Sequence, residues 1–210
     1  MFDFDGVLVD SNAVKRNAYY DALADIHGAA EVVTEVLRAP PAEPADRYHT
    51  VKRIVSLLRE RGLLDARDPA RFAAERVDRY TSICDRELPL CNEIPGASTL
   101  LATLSRSHPL YLNSATPEPI LRATVAGRGW TPFFRDTLGT PATKTDNLRR
   151  IALAEGIQAQ QILFVGDSEV DRHAAGQFGC PFVGVVVEEG RFEGPVERVV
   201  TKLSDLLLHL

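Results

Sequence analysis

Cysteine is scarce in this chain: three residues, Cys84, Cys91 and Cys180, among 210. An odd number with no C-x-x-C spacing argues against a disulfide framework or a cysteine-based zinc site, and reads as reduced thiols of a cytoplasmic protein. No Lys/Arg run stands out and the net charge is −5, so nucleic acid is not an expected partner. No apolar run approaches the length of a membrane span, and no signal peptide opens the chain, so no membrane association is expected. Repeats and low-complexity tracts are missing as well. What remains is an ordinary globular composition, 45% hydrophobic and 25% charged, in a chain long enough for one large domain or a core with a smaller lid.

Residues 12–27 carry a helical stripe of Ala13, Val14, Ala18, Ala22, Leu23 and Ile26, closed by Gly28. A short helix is expected over Val32 to Leu37. The prolines of 39–46 interrupt any helix there. Asp46 is placed to cap a helix bearing Val51, Ile54, Val55, Leu57 and Leu58, and Asp68 with Pro69 opens another reaching Leu88. Residues 12–90 therefore read as wholly helical.

From Pro95 the pattern changes. Helices are expected after Pro95-Gly96, after Pro117, over Lys144 to Ala154, and from Ser168 to about Phe178. Between them lie the apolar runs Leu110-Tyr111-Leu112, Ile162 to Val165 and Phe182 to Val187, and Phe133 to Leu138 leads to a further short strand. A last helix is expected from Lys202. Apolar strands alternating with helices indicate an α/β fold with a parallel sheet, into which the helical block is inserted.

Asp3-Phe4-Asp5-Gly6-Val7 is the stretch on which a functional reading turns. Two carboxylates stand two apart, where an extended strand points both side chains one way, and Gly6 permits a sharp turn. Paired acids repel unless a cation sits between them, and Mg²⁺ suits hard oxygen donors. In parallel sheets ligands bind beyond the carboxyl ends of the strands. There the chain also places Ser114, Asp167 and, at a helix start, Lys144. Ser114 alone would serve equally as a helix cap, and Lys144 alone as a surface lysine. Asp167 ends a wholly apolar strand, and Asp171, four residues on, can lean back toward it.

Together, D-F-D-G-V at 3–7, Ser114 after a strand, Lys144, and G-D-x-x-x-D at 166–171 resemble the four motifs of the haloacid dehalogenase superfamily, over essentially the whole chain. The resemblance is to its phosphatase type, similar to phosphoglycolate phosphatase and beta-phosphoglucomutase. It implies a Rossmann-like core (1–11 and 91–210) with an all-helical cap (12–90). By the same resemblance Asp3 is the nucleophile that takes up the phosphoryl group, and Asp5 is the general acid and base. Mg²⁺ would be held by Asp3, the Asp5 carbonyl and Asp167, with Asp171 behind them. Ser114 and the Ala115 N–H would bind phosphoryl oxygens, and Lys144 would supply positive charge. An acid at position 5 favours phosphoryl transfer over dehalogenation or phosphonate cleavage. The strings S-N-A-V-K, S-A-T-P-E and G-T-P-A-T-K look most like a branch handling sugar phosphates, with Lys15 and Arg47 as contacts to a polar leaving group.

The family's first strand has four or five apolar residues ahead of the nucleophile, whereas here only Met1 and Phe2 precede Asp3. The expectation is a native start upstream. Three readings stand at this point: a Mg²⁺-dependent phosphatase acting on a small phosphorylated metabolite, a hexose-phosphate mutase, and a non-catalytic phosphosugar-binding protein.

Overall fold

The structure, a computed structural model, describes residues 1–39, 46–186, 192, 194 and 196–209. It divides into two compact units, Met1–Asp10 with Asn92–Leu210, and Ser11–Cys91.

The second unit is helical, with no strand among its described residues: α1 (Asn12–Ala22), α2 (Ala29–Arg38), α3 (Arg47–Glu60) and α4 (Pro69–Glu87). Two of its starts follow directly from side-chain caps. Asp46 accepts from the His49 N–H and Asp68 from the Arg71 N–H, each satisfying a donor that the first helical turn leaves open. Leu23, Val32, Val33, Val36, Ile54 and Leu58 form one apolar cluster, and Val51, Val55, Ala73 and Val77 another. The first helix stops at Ala22, short of the expected 27. Leu23 and Ile26 instead sit in a turn that lets both reach the cluster shared with α2 and α3. Gly28, at φ 75°, precedes α2 rather than closing α1, and α2 starts earlier than the expected Val32. The proline-interrupted stretch at 40–45 lies outside the described residues.

The first unit holds α5 (Ala97–Leu104), β1 (Tyr111–Pro117), α6 (Glu118–Gly127), β2 (Asp136–Thr140), α7 (Lys144–Glu155), β3 (Phe164–Gly166), α8 (Glu169–Phe178), β4 (Phe182–Val185) and β5 (Val199–Val200). β1 pairs with β2, and β3 with β4 and then β5, all in parallel. The backbone of Met1–Asp3 runs between the two groups. Phe2 N–H donates to Tyr111 O (2.9 Å) and Asn113 N–H to Phe2 O (2.9 Å), while on the other side Asp3 N–H donates to Val165 O (2.8 Å) and Val165 N–H to Met1 O (2.9 Å). Leu138, Leu148, Ile151, Phe164, Ala174 and Ala175 form the core between the sheet and helices α7 and α8.

The α/β class agrees with the sequence reading. In the α/β unit three elements differ. The expected C-terminal helix is a 3₁₀ segment, Leu203–Leu208, and β5 is a short strand that no apolar run announced. The strand expected to reach Val187 ends at Val185, and Val187 itself lies outside the described residues. Among the described residues no helix is long and apolar enough to cross a membrane.

Candidate active site

Strand pairing carries Asp3 to the carboxyl ends of β1 and β3. Gly6 then turns the chain at φ 75°, with its N–H donating to Val9 O at 2.8 Å, so Asp5 stays beside Asp3 rather than continuing along the sheet. Both side chains are buried, as are Ser114, Lys144, Asp167 and Asp171.

Lys144 is the first residue of α7, whose start is fixed by Thr143 accepting from the Asp146 N–H. Its ammonium lies 3.0 Å from Asp3 Oδ2 and 2.5 Å from Asp171 Oδ1. Burial alone would push that ammonium down, but Asp171 and Asp3 together hold it above the ordinary lysine value. The Asp3 carboxyl is pushed well above the usual aspartate range, by burial first and by Asp171 next; Lys144 pulls it back, and Asp167 and Asp5 add to the rise.

Asp171 reaches the cluster because Ser168 and Asp171 cap the start of α8 reciprocally. Its Oδ2 accepts from the Ser168 N–H at 3.2 Å and from the Ser168 hydroxyl at 2.5 Å. Gly166 makes room, since a Cβ there would overlap the Asp171 side chain.

Carboxylate oxygens of Asp3, Asp167 and Asp171 converge within 4.8 Å of one another, and Asp3 Oδ1 is buried with no hydrogen-bond partner. An orphaned carboxylate oxygen among two further acids suits a hard divalent cation, which supplies the missing partner and offsets the repulsion. Mg²⁺ fits this donor set.

Asp5 turns its carboxylate another way. Ser114 and Thr116 hydroxyls both donate to Asp5 Oδ2, at 3.4 and 3.2 Å, and the Thr116 N–H donates to Ser114 Oγ at 3.1 Å. Ala115, between them, is exposed. The structure thus brings together Asp3, Asp5, Ser114, Lys144, Asp167 and Asp171 in the α/β unit. Lys15 and Arg47 belong to the helical unit. Arg47 is buried there, with Nη1 donating to Thr81 Oγ1 at 3.0 Å and its guanidinium 5.3 Å from the centre of the Tyr80 ring. Lys15 is half-buried on α1.

Three residues of the site were not foreseen. Asn113 and Asn147 are fully buried; Asn113 Nδ2 donates to Lys144 O and Asn147 Nδ2 to Asn113 Oδ1, both at 2.9 Å. This chain of amides ties the start of α7, and so Lys144, to β1. Thr116 is the third. The available signal was a polar residue closing an apolar strand (Asn113), and a hydroxyl two places after Ser114 (Thr116).

The haloacid dehalogenase-like hydrolase family matches residues 1–179. A phosphoglycolate phosphatase of Shigella boydii is 27% identical over 88% of this chain and 79% of its own length. One from Synechococcus elongatus is 29% identical over 88% and 82%. Among solved structures, a predicted phosphoglycolate phosphatase of Haemophilus somnus superposes with a TM-score of 0.77 at 20% identity, covering 99% of this chain and 95% of that one. A haloacid dehalogenase-like family protein of Streptococcus pneumoniae gives 0.72 at 19%, covering 99% and 95%. A family match across most of the sequence, carried by a shared fold, means that this protein belongs to the haloacid dehalogenase-like hydrolases, as an enzyme of the phosphatase type.

Proposed function

We propose that the protein is a Mg²⁺-dependent phosphatase that hydrolyses a small phosphorylated metabolite through an aspartyl-phosphate. The observation that carries this reading is the position of Asp3, 3.0 Å from the Lys144 ammonium by one oxygen while the other is buried and bare. A carboxylate so placed is held by an ammonium at one oxygen and has no protein hydrogen-bond donor at the other, which leaves it unprotonated by its neighbours and able to act as a nucleophile.

Asp3 attacks phosphorus, and the bond from phosphorus to the ester oxygen breaks. Asp5 delivers a proton to that oxygen as the alcohol leaves. Asp5 then removes a proton from water, whose oxygen attacks the phosphorus of the aspartyl-phosphate. The bond to Asp3 breaks, releasing inorganic phosphate and restoring both acids. Lys144, Ser114 Oγ and the Ala115 N–H bind the phosphoryl oxygens, which carry the negative charge throughout. Mg²⁺, held by Asp3, the Asp5 carbonyl and Asp167 with Asp171 behind them, would neutralise phosphoryl charge when bound.

The substrate class we infer is a phosphosugar or acidic-sugar phosphate. Relatives named phosphoglycolate phosphatases make that small acid ester part of the test panel. Phosphate release is measured across phosphorylated sugars, nonulosonic acid phosphates and phosphoglycolate with Mg²⁺, and on para-nitrophenyl phosphate. Turnover is expected to vanish with EDTA and in Asp3→Asn. Full turnover by Asp3→Asn, or isomer formation without free phosphate, would overturn the proposal.

A further inference from the structure

Thr116 takes no part in the steps above, yet it is buried at the end of β1 with its hydroxyl on the Asp5 carboxylate. We propose that Thr116 is a positioning residue for Asp5, holding Oδ2 so that the carboxyl is presented to the ester oxygen. The inference rests on the proposed role of Asp5 in moving the proton.

Burial supplies the first argument. The pairing of β1 with β2 shifts register between Asn113 and Pro117, and there Ser114 and Thr116 are buried while Ala115 between them is exposed. Both hydroxyls meet the same oxygen, Asp5 Oδ2, at 3.4 and 3.2 Å. Of the two contacts, that of Thr116 is the shorter. The assigned duties also differ. Ser114 is the residue proposed to bind a phosphoryl oxygen, and a hydroxyl has one proton to donate. When substrate takes the Ser114 proton, the Thr116 contact to Asp5 remains.

The backbone supplies the second argument. Gly139 on β2 lies so close to Thr116 that a Cβ would overlap the Thr116 carbonyl, and would also come within 2.7 Å of Glu118 N and Cα. The absence of a side chain at 139 lets β2 clamp the end of β1 where it turns into α6. The Thr116 hydroxyl is thus held on a rigid element, with little freedom to leave Asp5. A positioned acid contributes about 10²–10⁴-fold to rate, and misorienting it forfeits part of that.

The test exploits leaving-group chemistry. An alkyl phosphate needs its oxygen protonated as it departs, whereas para-nitrophenolate leaves with little help. Thr116→Val keeps the shape and removes the hydroxyl. It is expected to lower kcat/KM for an alkyl phosphate about tenfold and to leave that for para-nitrophenyl phosphate within about twofold, with Thr116→Ser restoring the alkyl phosphate value. Thr116→Ala, which crowds nothing, must show the same dependence on leaving group should the valine variant fold poorly. Equal losses on both substrates, or no loss on either, would overturn the inference. Asp3→Asn run alongside separates the two claims: an active Asp3→Asn defeats the proposed function, whereas an inactive one with leaving-group-blind Thr116 variants defeats the role of Thr116 alone.

Discussion

Asn113 illustrates how a residue outside the chemistry can decide where the chemistry sits. Its amide bridges the Lys144 carbonyl and the Asn147 amide in a fully buried setting, where each lost partner leaves a desolvated polar group. Asn113→Ala is expected to lower the free energy of unfolding in urea by about 1–3 kcal/mol and to reduce phosphate release by loosening the start of α7. Unchanged stability would show that water or a shift of α7 replaces the amide. Asp3, Asp5 and Asp167 were legible from the sequence because each is chemically odd where it stands, two from another acid or at the end of an apolar strand, whereas Lys144 stood out only through the resemblance to the superfamily's motifs. Asn113, Asn147 and Thr116 were not legible, since their tasks are relations between β1, α7 and Asp5. Such relations exist only once strand pairing has brought distant segments together.

Helix starts tell a similar story one level up. Asp46 and Asp68 could be read from the chain because a cap is a local arrangement of side chain and backbone. The end of α1 could not. Its stripe continues to Ile26, and only the packing of Leu23 with α2 and α3 decides that the chain turns at Ala22. Two caps make a paired prediction. Asp68→Ala removes the acceptor of the Arg71 N–H and is expected to cost about 1 kcal/mol, read as a shift of the urea midpoint. Ser168→Ala also strips a hydroxyl donor from Asp171, so its effect should exceed that of Asp68→Ala and extend to phosphate release. Equal effects of the two substitutions would mean that Asp171 draws no benefit from Ser168.

For the molecule as a whole, pH acts through groups that folding buries. Burial raises the Cys180 thiol from an ordinary value of 9.0 to about 11. A folded-state value above the unfolded one means that the folded chain holds the proton longer. Its contribution is complete below about pH 9 and is lost as pH climbs toward 11. Melting temperature should therefore fall across that window, and Cys180→Ala should flatten the fall. A slope identical in both proteins would place the alkaline loss elsewhere.

The threading of Met1–Asp3 between β1 and β3 has a further consequence. Met1 and Leu163 touch although 162 positions apart, so the segment bearing Asp3 and Asp5 leaves the ribosome long before both of its flanking strands exist. At synthesis rates of about 5–20 residues per second, the nascent aspartates wait on the order of ten seconds or more, and the helical unit has emerged in the interval. The seat of these aspartates is thus completed late in translation, when the second half of the chain reaches a segment made well before it.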